Sequence, residues 1–316
     1  MGGAGDPRAR LGHPASSEAA SISPWESILG WIPTPRPAEA TLLTSLLVMS
    51  LVALRHFEVL GPGAVVGPIS VALSYLAVIR LTSAGTPSWR FWLRELSPVP
   101  LIVYIYLHIG ALVLVDHPPI RDSLLTSLDR ALLGRELQTA LATLALPAWG
   151  ADLLTLAYAS FYFIPLSVVI ALAWRRDPNL PRVTAVLVFT FLVSYAGYFA
   201  VPAYGPRTGI ASERYATLPD GLVGGAIRTH LDRWETTKSD VFPSGHTMVT
   251  LAALACAWRR LRGLFRALLP LAALLVASTI LLSYHYVVDV LAAVPLTFLA
   301  WHIARLATGR IPFAES

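Results

Sequence analysis

The chain has 316 residues, 55% of them hydrophobic and only 14% charged, with a mean hydropathy of +0.61. A soluble domain carries about a quarter charged residues, so this balance excludes an ordinary water-soluble fold. A single cysteine, Cys256, excludes an intrachain disulfide, and the 24 Lys and Arg are spread between apolar runs and form no nucleic-acid-binding patch.

Residues 1–37 are rich in Ala, Ser, Pro and Gly and predict a flexible N-terminal tail without the apolar core of a signal peptide. Within it, PWESILGWIP (24–33) sets Trp25, Ile28, Leu29 and Trp31 on one side, as an interfacial segment would. Nearly charge-free runs follow at 40–54, 61–79, 96–115, 153–174, 183–206, 241–258, 267–284 and 290–304. About 20 apolar residues cross ~30 Å of hydrocarbon. The runs predict an all-α, polytopic membrane helical bundle of about eight transmembrane helices, forming one integral domain over 38–310. His108, in the third run, is expected to be buried and hydrogen-bonded. In 116–152 the leucines recur at roughly helical spacing between charges, which predicts one or two amphipathic helices lying on the membrane surface.

Basic residues alternate along the chain. Fifteen of the 24 fall in one set of alternate segments and nine in the other. Cytoplasmic segments carry the excess of Lys and Arg, which puts both termini in the cytoplasm. The long segments 116–152 and 203–241 then face outward, as expected for a plasma-membrane protein.

Three polar stretches interrupt the apolar pattern. In VFPSGHTMVT (241–250) Pro243 suits a helix's first turn, and Ser244 and Gly245 leave the backbone amides open where a helix N-terminus attracts anions. His246 stands at that entrance. In LLSYHYVVDVLAAVP (281–295) His285 and Asp289 are spaced i, i+4, which on a helix shares one face. An acid inside an apolar span is costly and points to function. Its carboxylate would take a proton from one imidazole nitrogen and leave the other free. In FAVPAYGPRTG (199–209) Arg207 follows two prolines and a glycine, and its guanidinium offers a planar fork to phosphate oxygens.

One arginine, two histidines and an aspartate at one end of the spans make the set needed for phosphoryl transfer through a phosphohistidine. His285 would attack phosphorus, with Asp289 fixing its tautomer. His246 would protonate the leaving oxygen, and Arg207 with the amides near Ser244 and Gly245 would hold the equatorial oxygens. Two other readings stay open. His246, His285 and Asp289 could form a two-histidine, one-carboxylate metal site, although that leaves Arg207 without a role. A transporter or scaffold would be expected to carry polar groups near the midplane, and here they crowd at one end.

The stretch PSGH (243–246) matches without a gap the second signature motif of the type 2 phosphatidic-acid phosphatase superfamily. YHYVVDVLAA (284–293) resembles its third, and VPAYGPR, ending at Arg207, resembles the first. The resemblance covers 185–300, with the motifs inside 199–293. It implies a helical membrane core, the roles given above, and catalysis with no metal and no other cofactor. The partners implied are a lipid substrate in the bilayer and a lipid or alcohol acceptor, with water as the acceptor in the alternative reading of a strict lipid phosphate phosphatase. Two positions depart from the common pattern: Ala200 replaces a lysine of the first motif, and Thr279 an arginine of the third. In this the chain is similar to the branch of inositol phosphorylceramide synthases and sphingomyelin synthases, which move phospho-headgroups between lipids. Lys238, the lysine eight residues before His246, is the candidate for a replacement phosphate-binding cation.

Overall fold

The computed structural model describes residues 34–83 and 87–309, and every regular element among them is helical. The stretch 24–33 lies outside the described residues. In chain order the helices are α1 (Pro37–Arg55), α2 (Phe57–Ser83), α3 (Ser88–Leu96), α4 (Pro98–Leu114), α5 (Asp122–Thr143), α6 (Ala148–Ala159), α7 (Phe163–Trp174) and α8 (Leu180–Ala200). The short α9 (Ser212–Ala216) and α10 (Gly224–Trp234) precede α11 (Gly245–Arg260), α12 (Arg262–Leu281) and α13 (Val287–Thr308).

Among the described residues, seven helical stretches are long and apolar enough to cross a bilayer: α1, α2, α3 with α4, α6 with α7, α8, α12 and α13. The eighth expected span is shorter than its apolar run. Residues 241–244 form a turn, so α11 has 16 residues, about 24 Å at 1.5 Å per residue against ~30 Å of hydrocarbon. It is sheathed by α7, α8, α12 and α13, and Met248, Val249, Ala252, Ala253, Cys256 and Ala257 are all buried. Small residues on a sheathed helix let neighbouring backbones approach. A helix facing protein on nearly every side does not have to match the bilayer's thickness.

Helix α8 is the shared wall. One core joins it to α7, α11 and α12 through residues such as Val168, Leu172, Val183, Leu187 and Leu275. The other joins it to α1, α2 and α4 through Leu42, Leu46, Tyr75, Ile105 and Val188. A Cβ on Gly197 would collide with the Pro243 ring, so α8 lies directly against the turn that launches α11.

The charges sort to the two ends of this bundle. At one end Arg36 pairs with Glu95 at 2.7 Å, Arg94 with Glu39 at 2.7 Å and Arg260 with Asp177 at 2.9 Å. Arg175 adds a hydrogen bond to the Arg260 carbonyl at 3.0 Å. All four arginines belong to the same alternating set in the sequence. Helix α8 runs away from this end to the loop holding Arg207, and α11 runs back from His246 to Arg260.

Helix α5 differs from the expected surface amphipath. Gly134, at φ 77°, breaks it into two. Leu124, Leu128 and Leu132 form an exposed stripe, whereas Asp129 and Gln138 are buried against the bundle. Asp122 and Asp129 point inward because they bind backbone donors of the loops beneath. His108 donates from Nδ1 to the Tyr104 carbonyl (2.8 Å) and stacks on the Tyr104 ring at 4.2 Å. It is exposed, contrary to the expectation of burial, because both partners lie one turn back on its own helix.

Candidate active site

After α8 the chain turns at Gly205 into a 3-10 turn, Pro206–Thr208, that carries Arg207. Gly205 has φ 92°, and a Cβ there would sit 2.7 Å from the Tyr284 carbonyl oxygen. Only glycine fits both constraints. The Arg207 amide donates to the Ser283 carbonyl at 3.0 Å, which ties the arginine loop to the turn holding His285. The guanidinium lies 4.8 Å over the Tyr284 ring and 3.7 Å from an Asp232 carboxylate oxygen of α10.

Ser244 caps α11: its hydroxyl accepts the Thr247 amide at 3.3 Å. The cap sets the helix start at Gly245, so Pro243 precedes the cap and is not in the first turn. The Ser244 amide donates to the Asp289 carbonyl at 3.2 Å, so that amide is engaged within the protein. The first intrahelical bond runs from Met248 to Ser244, which leaves Gly245 and His246 in the turn whose amides have no helical acceptor. The His246 ring is held by its faces, against Tyr158 at 4.4 Å and Phe161 at 4.2 Å. Its Nε2 is buried and bonded to no protein atom.

The third motif departs from the spacing argument. Helix α13 starts at Val287, so His285 sits in the turn before it and does not share a helical face with Asp289. His285 Nδ1 lies 2.8 Å from the Val241 carbonyl oxygen and 3.5 Å from Asp289. The shorter contact is the hydrogen bond, and a carbonyl only accepts. The proton therefore sits on Nδ1, and Nε2 keeps its lone pair. Burial holds the His285 imidazole down to about 4, so the ring is neutral at neutral pH. Asp289 instead accepts the Tyr286 amide at 2.8 Å through one oxygen, and its other oxygen is buried with no hydrogen-bond partner.

The structure thus brings Arg207, His246 and His285 together, with the two imidazole centroids 5.8 Å apart. Asp289 and Ser244 lie in the frame behind them. Lys238 donates to the Asp232 carbonyl at 2.8 Å, so it and Arg207 reach the same residue. Neither departure from the motifs leaves a gap in the site. Thr279 is fully buried, with its hydroxyl on the Val276 carbonyl at 2.8 Å, and Ala200 is exposed at the end of α8. Among the described residues, no three His, Cys, Asp or Glu side chains are grouped to hold a metal ion.

Several supporting residues were not singled out from the sequence. Asp122 of α5 accepts the amides of Tyr204 (2.9 Å) and Gly205 (2.8 Å) and the Tyr286 hydroxyl (3.0 Å). Asp129 accepts the Val287 and Val288 amides at 3.0 and 2.8 Å, capping α13 just past His285. Their signal was present as two acids seven residues apart on one helix face. Arg214 holds the same turn from beneath, donating to the Ser283 hydroxyl at 2.5 Å and to the Leu144 and Leu281 carbonyls.

A cavity of about 360 Å³ opens beside His246 and runs between α4, α7 and α8 towards Glu95. Ile102, Phe161, Leu187 and Phe191 give it an apolar wall. Near the histidine it carries two carboxylates: Asp240, which accepts the Tyr106 hydroxyl at 2.8 Å, and Glu235, which accepts that of Tyr162 at 3.1 Å. Burial, and then the charge of Asp240, raise the Glu235 carboxyl to about 7.

A family model described as the PAP2 superfamily matches residues 123–303. A PA-phosphatase related-family protein of Dictyostelium discoideum is 27% identical over 169 residues, which span 46% of this chain and 30% of that protein. No solved structure matches the chain.

Proposed function

The chain belongs to the PAP2 superfamily, and on that premise we propose that it is a membrane enzyme acting on lipid-linked phosphate esters through a phosphohistidine. The observation that carries the reading is the His285 hydrogen bond to the Val241 carbonyl, which leaves Nε2 unprotonated. This nitrogen attacks phosphorus while the P–O bond to the lipid breaks. His246, protonated, gives the departing oxygen its proton. Arg207 and the open first-turn amides of α11 stabilise the charge on the three equatorial oxygens. In the second half an incoming hydroxyl attacks phosphorus, the P–N bond breaks, and the hydroxyl proton returns to His246. Asp289, 3.5 Å from His285 Nδ1 and anchored by the Tyr286 amide, stands behind the imidazolium that forms on His285. The alternation of arginines supports placing this chemistry on the outer face of the plasma membrane, with both termini cytoplasmic.

The apolar cavity beside His246 supports a substrate whose hydrocarbon chain lies along α8. The incoming hydroxyl belongs to water in a phosphatase and to an alcohol in a transferase of the inositol phosphorylceramide and sphingomyelin synthase type. Glu235 and Asp240 favour the alcohol, since a carboxylate in an apolar wall binds a hydroxyl donor.

Purified protein in lipid discs, given a labelled lipid phosphate and quenched early, should carry label on histidine. His285→Ala should abolish both the label and turnover. His246→Ala should slow labelling by about 10²–10⁴-fold, and much less with p-nitrophenyl phosphate, whose leaving group needs no proton. Full activity of His246→Ala on lipid phosphate would remove the acid assignment. Glu235→Gln should lower the ratio of alcohol transfer to hydrolysis without slowing phosphoenzyme formation. An unchanged ratio would leave water as the acceptor.

A further inference from the structure

Tyr158, in α6, lies outside all three motifs and is 3% exposed. One face of its ring stacks on Tyr284 at 4.3 Å and 16°, and it also stacks on His246 at 4.4 Å and 27°. Tyr284 in turn carries the Arg207 guanidinium at 4.8 Å. His246 also meets the Phe161 ring, at 4.2 Å and 43°. The result is a column of Arg207, Tyr284, Tyr158, His246 and Phe161, drawn from four separate segments of the chain. Offset stacks of this spacing are favourable beyond the area they bury.

The column matters because of what His246 lacks. Its Nε2 makes no hydrogen bond to the protein, so that nitrogen has nothing to fix the ring's rotation about its side-chain bond. Two aromatic faces supply the missing constraint. We propose that Tyr158 is a positioning residue that fixes the His246 ring, through its stack, at a set distance from the phosphate held by Arg207. This rests on the phosphoryl-transfer reading above. It adds a specific cause for the acid's orientation, namely a flat ring and not a hydrogen bond.

The test separates a flat face from bulk. Tyr158→Phe keeps the ring and should retain at least about half of kcat on lipid phosphate. Tyr158→Leu fills similar space without a face and should lower that kcat by about 10- to 100-fold, with KM within about twofold. On p-nitrophenyl phosphate the Leu variant should lose less than about threefold, because that leaving group needs no acid. Equal losses on both substrates, or a Phe variant as impaired as Leu, would overturn the proposal. Should Tyr158→Leu fail to fold, Phe161→Leu removes the other face and must show the same split between leaving groups. The underlying reading fails differently: wild-type protein would form no phosphoenzyme, or His246→Ala would show no leaving-group dependence.

Discussion

Arg207 and Lys238 both reach Asp232, yet their geometry predicts unequal roles. Arg207 is almost fully buried, braced by Tyr284 and joined through its amide to the His285 turn. Lys238 is half-buried and spends a donor on a backbone carbonyl. Removing a phosphate clamp costs about 2–4 kcal/mol of transition-state stabilisation, or 10²–10³ in rate. Arg207→Ala should show that loss in kcat, and Arg207→Lys should recover little of it because an ammonium lacks the fork. Lys238→Ala should change the rate by less than about tenfold; a tolerant Arg207 with an intolerant Lys238 would move the clamp to the loop. Glu235 supplies a pH signature. Its carboxyl rises from 4.5 to about 7 on folding, so the folded chain holds that proton more tightly than the unfolded one. The stabilisation is present below pH 4.5 and lost as pH rises through 7. Glu235→Gln, fixed in the neutral form, should melt close to wild type at pH 5 and above it at pH 8. The gap should be on the order of 3 kcal/mol at most, and a gap that does not change with pH would contradict it.

Helix α5 acts on the site without supplying a reacting group. Asp122 pins the Tyr204–Gly205 turn, and Asp129 caps the helix that begins two residues after His285. Losing such a cap costs about 0.5–2 kcal/mol. Asp129→Ala should therefore lower the melting temperature by a few degrees and reduce kcat, since the His285 turn loses its anchor. Asp129→Asn keeps one acceptor and should lie between Ala and wild type in both measurements. If Asp129→Ala melts lower but turns over normally, the cap serves stability alone. The leucine stripe of α5 was visible in the sequence, but which face points inward was not. Leu124, Leu128 and Leu132 remain exposed, whereas the carboxylates of Asp122 and Asp129 are stabilised by the backbone donors of the loops. Hydropathy taken in one dimension treats every apolar stripe as the buried one, and in a bilayer that assumption fails.

Across the whole molecule, the ion pairs of Arg36, Arg94 and Arg260 at one end and the three motif loops at the other fix which segments share a side. In a Cys256→Ala background, an impermeant thiol reagent applied to intact cells should label Ser212→Cys and spare Arg262→Cys. Labelling of Arg262→Cys would reverse the orientation that the arginine bias predicts.

The helical membrane class and the three short motifs that the fold brings together at one end, carrying Arg207, His246 and His285, were legible in the sequence. Apolar run length, charge alternation and short contiguous motifs are local properties, and one dimension suffices to record them. Only the tertiary structure decided that α11 is a short sheathed helix, that Val241 rather than Asp289 holds the His285 proton, and that Ser244 is a cap with its amide engaged. It also decided that Tyr158 stacks on His246 and that Asp122 and Asp129 bind the loops beneath α5. Each of these contacts joins residues that are far apart in the chain or turns on where a helix starts. Spacing constrains a pair only when both residues lie on one regular element, and His285 stands just outside its helix.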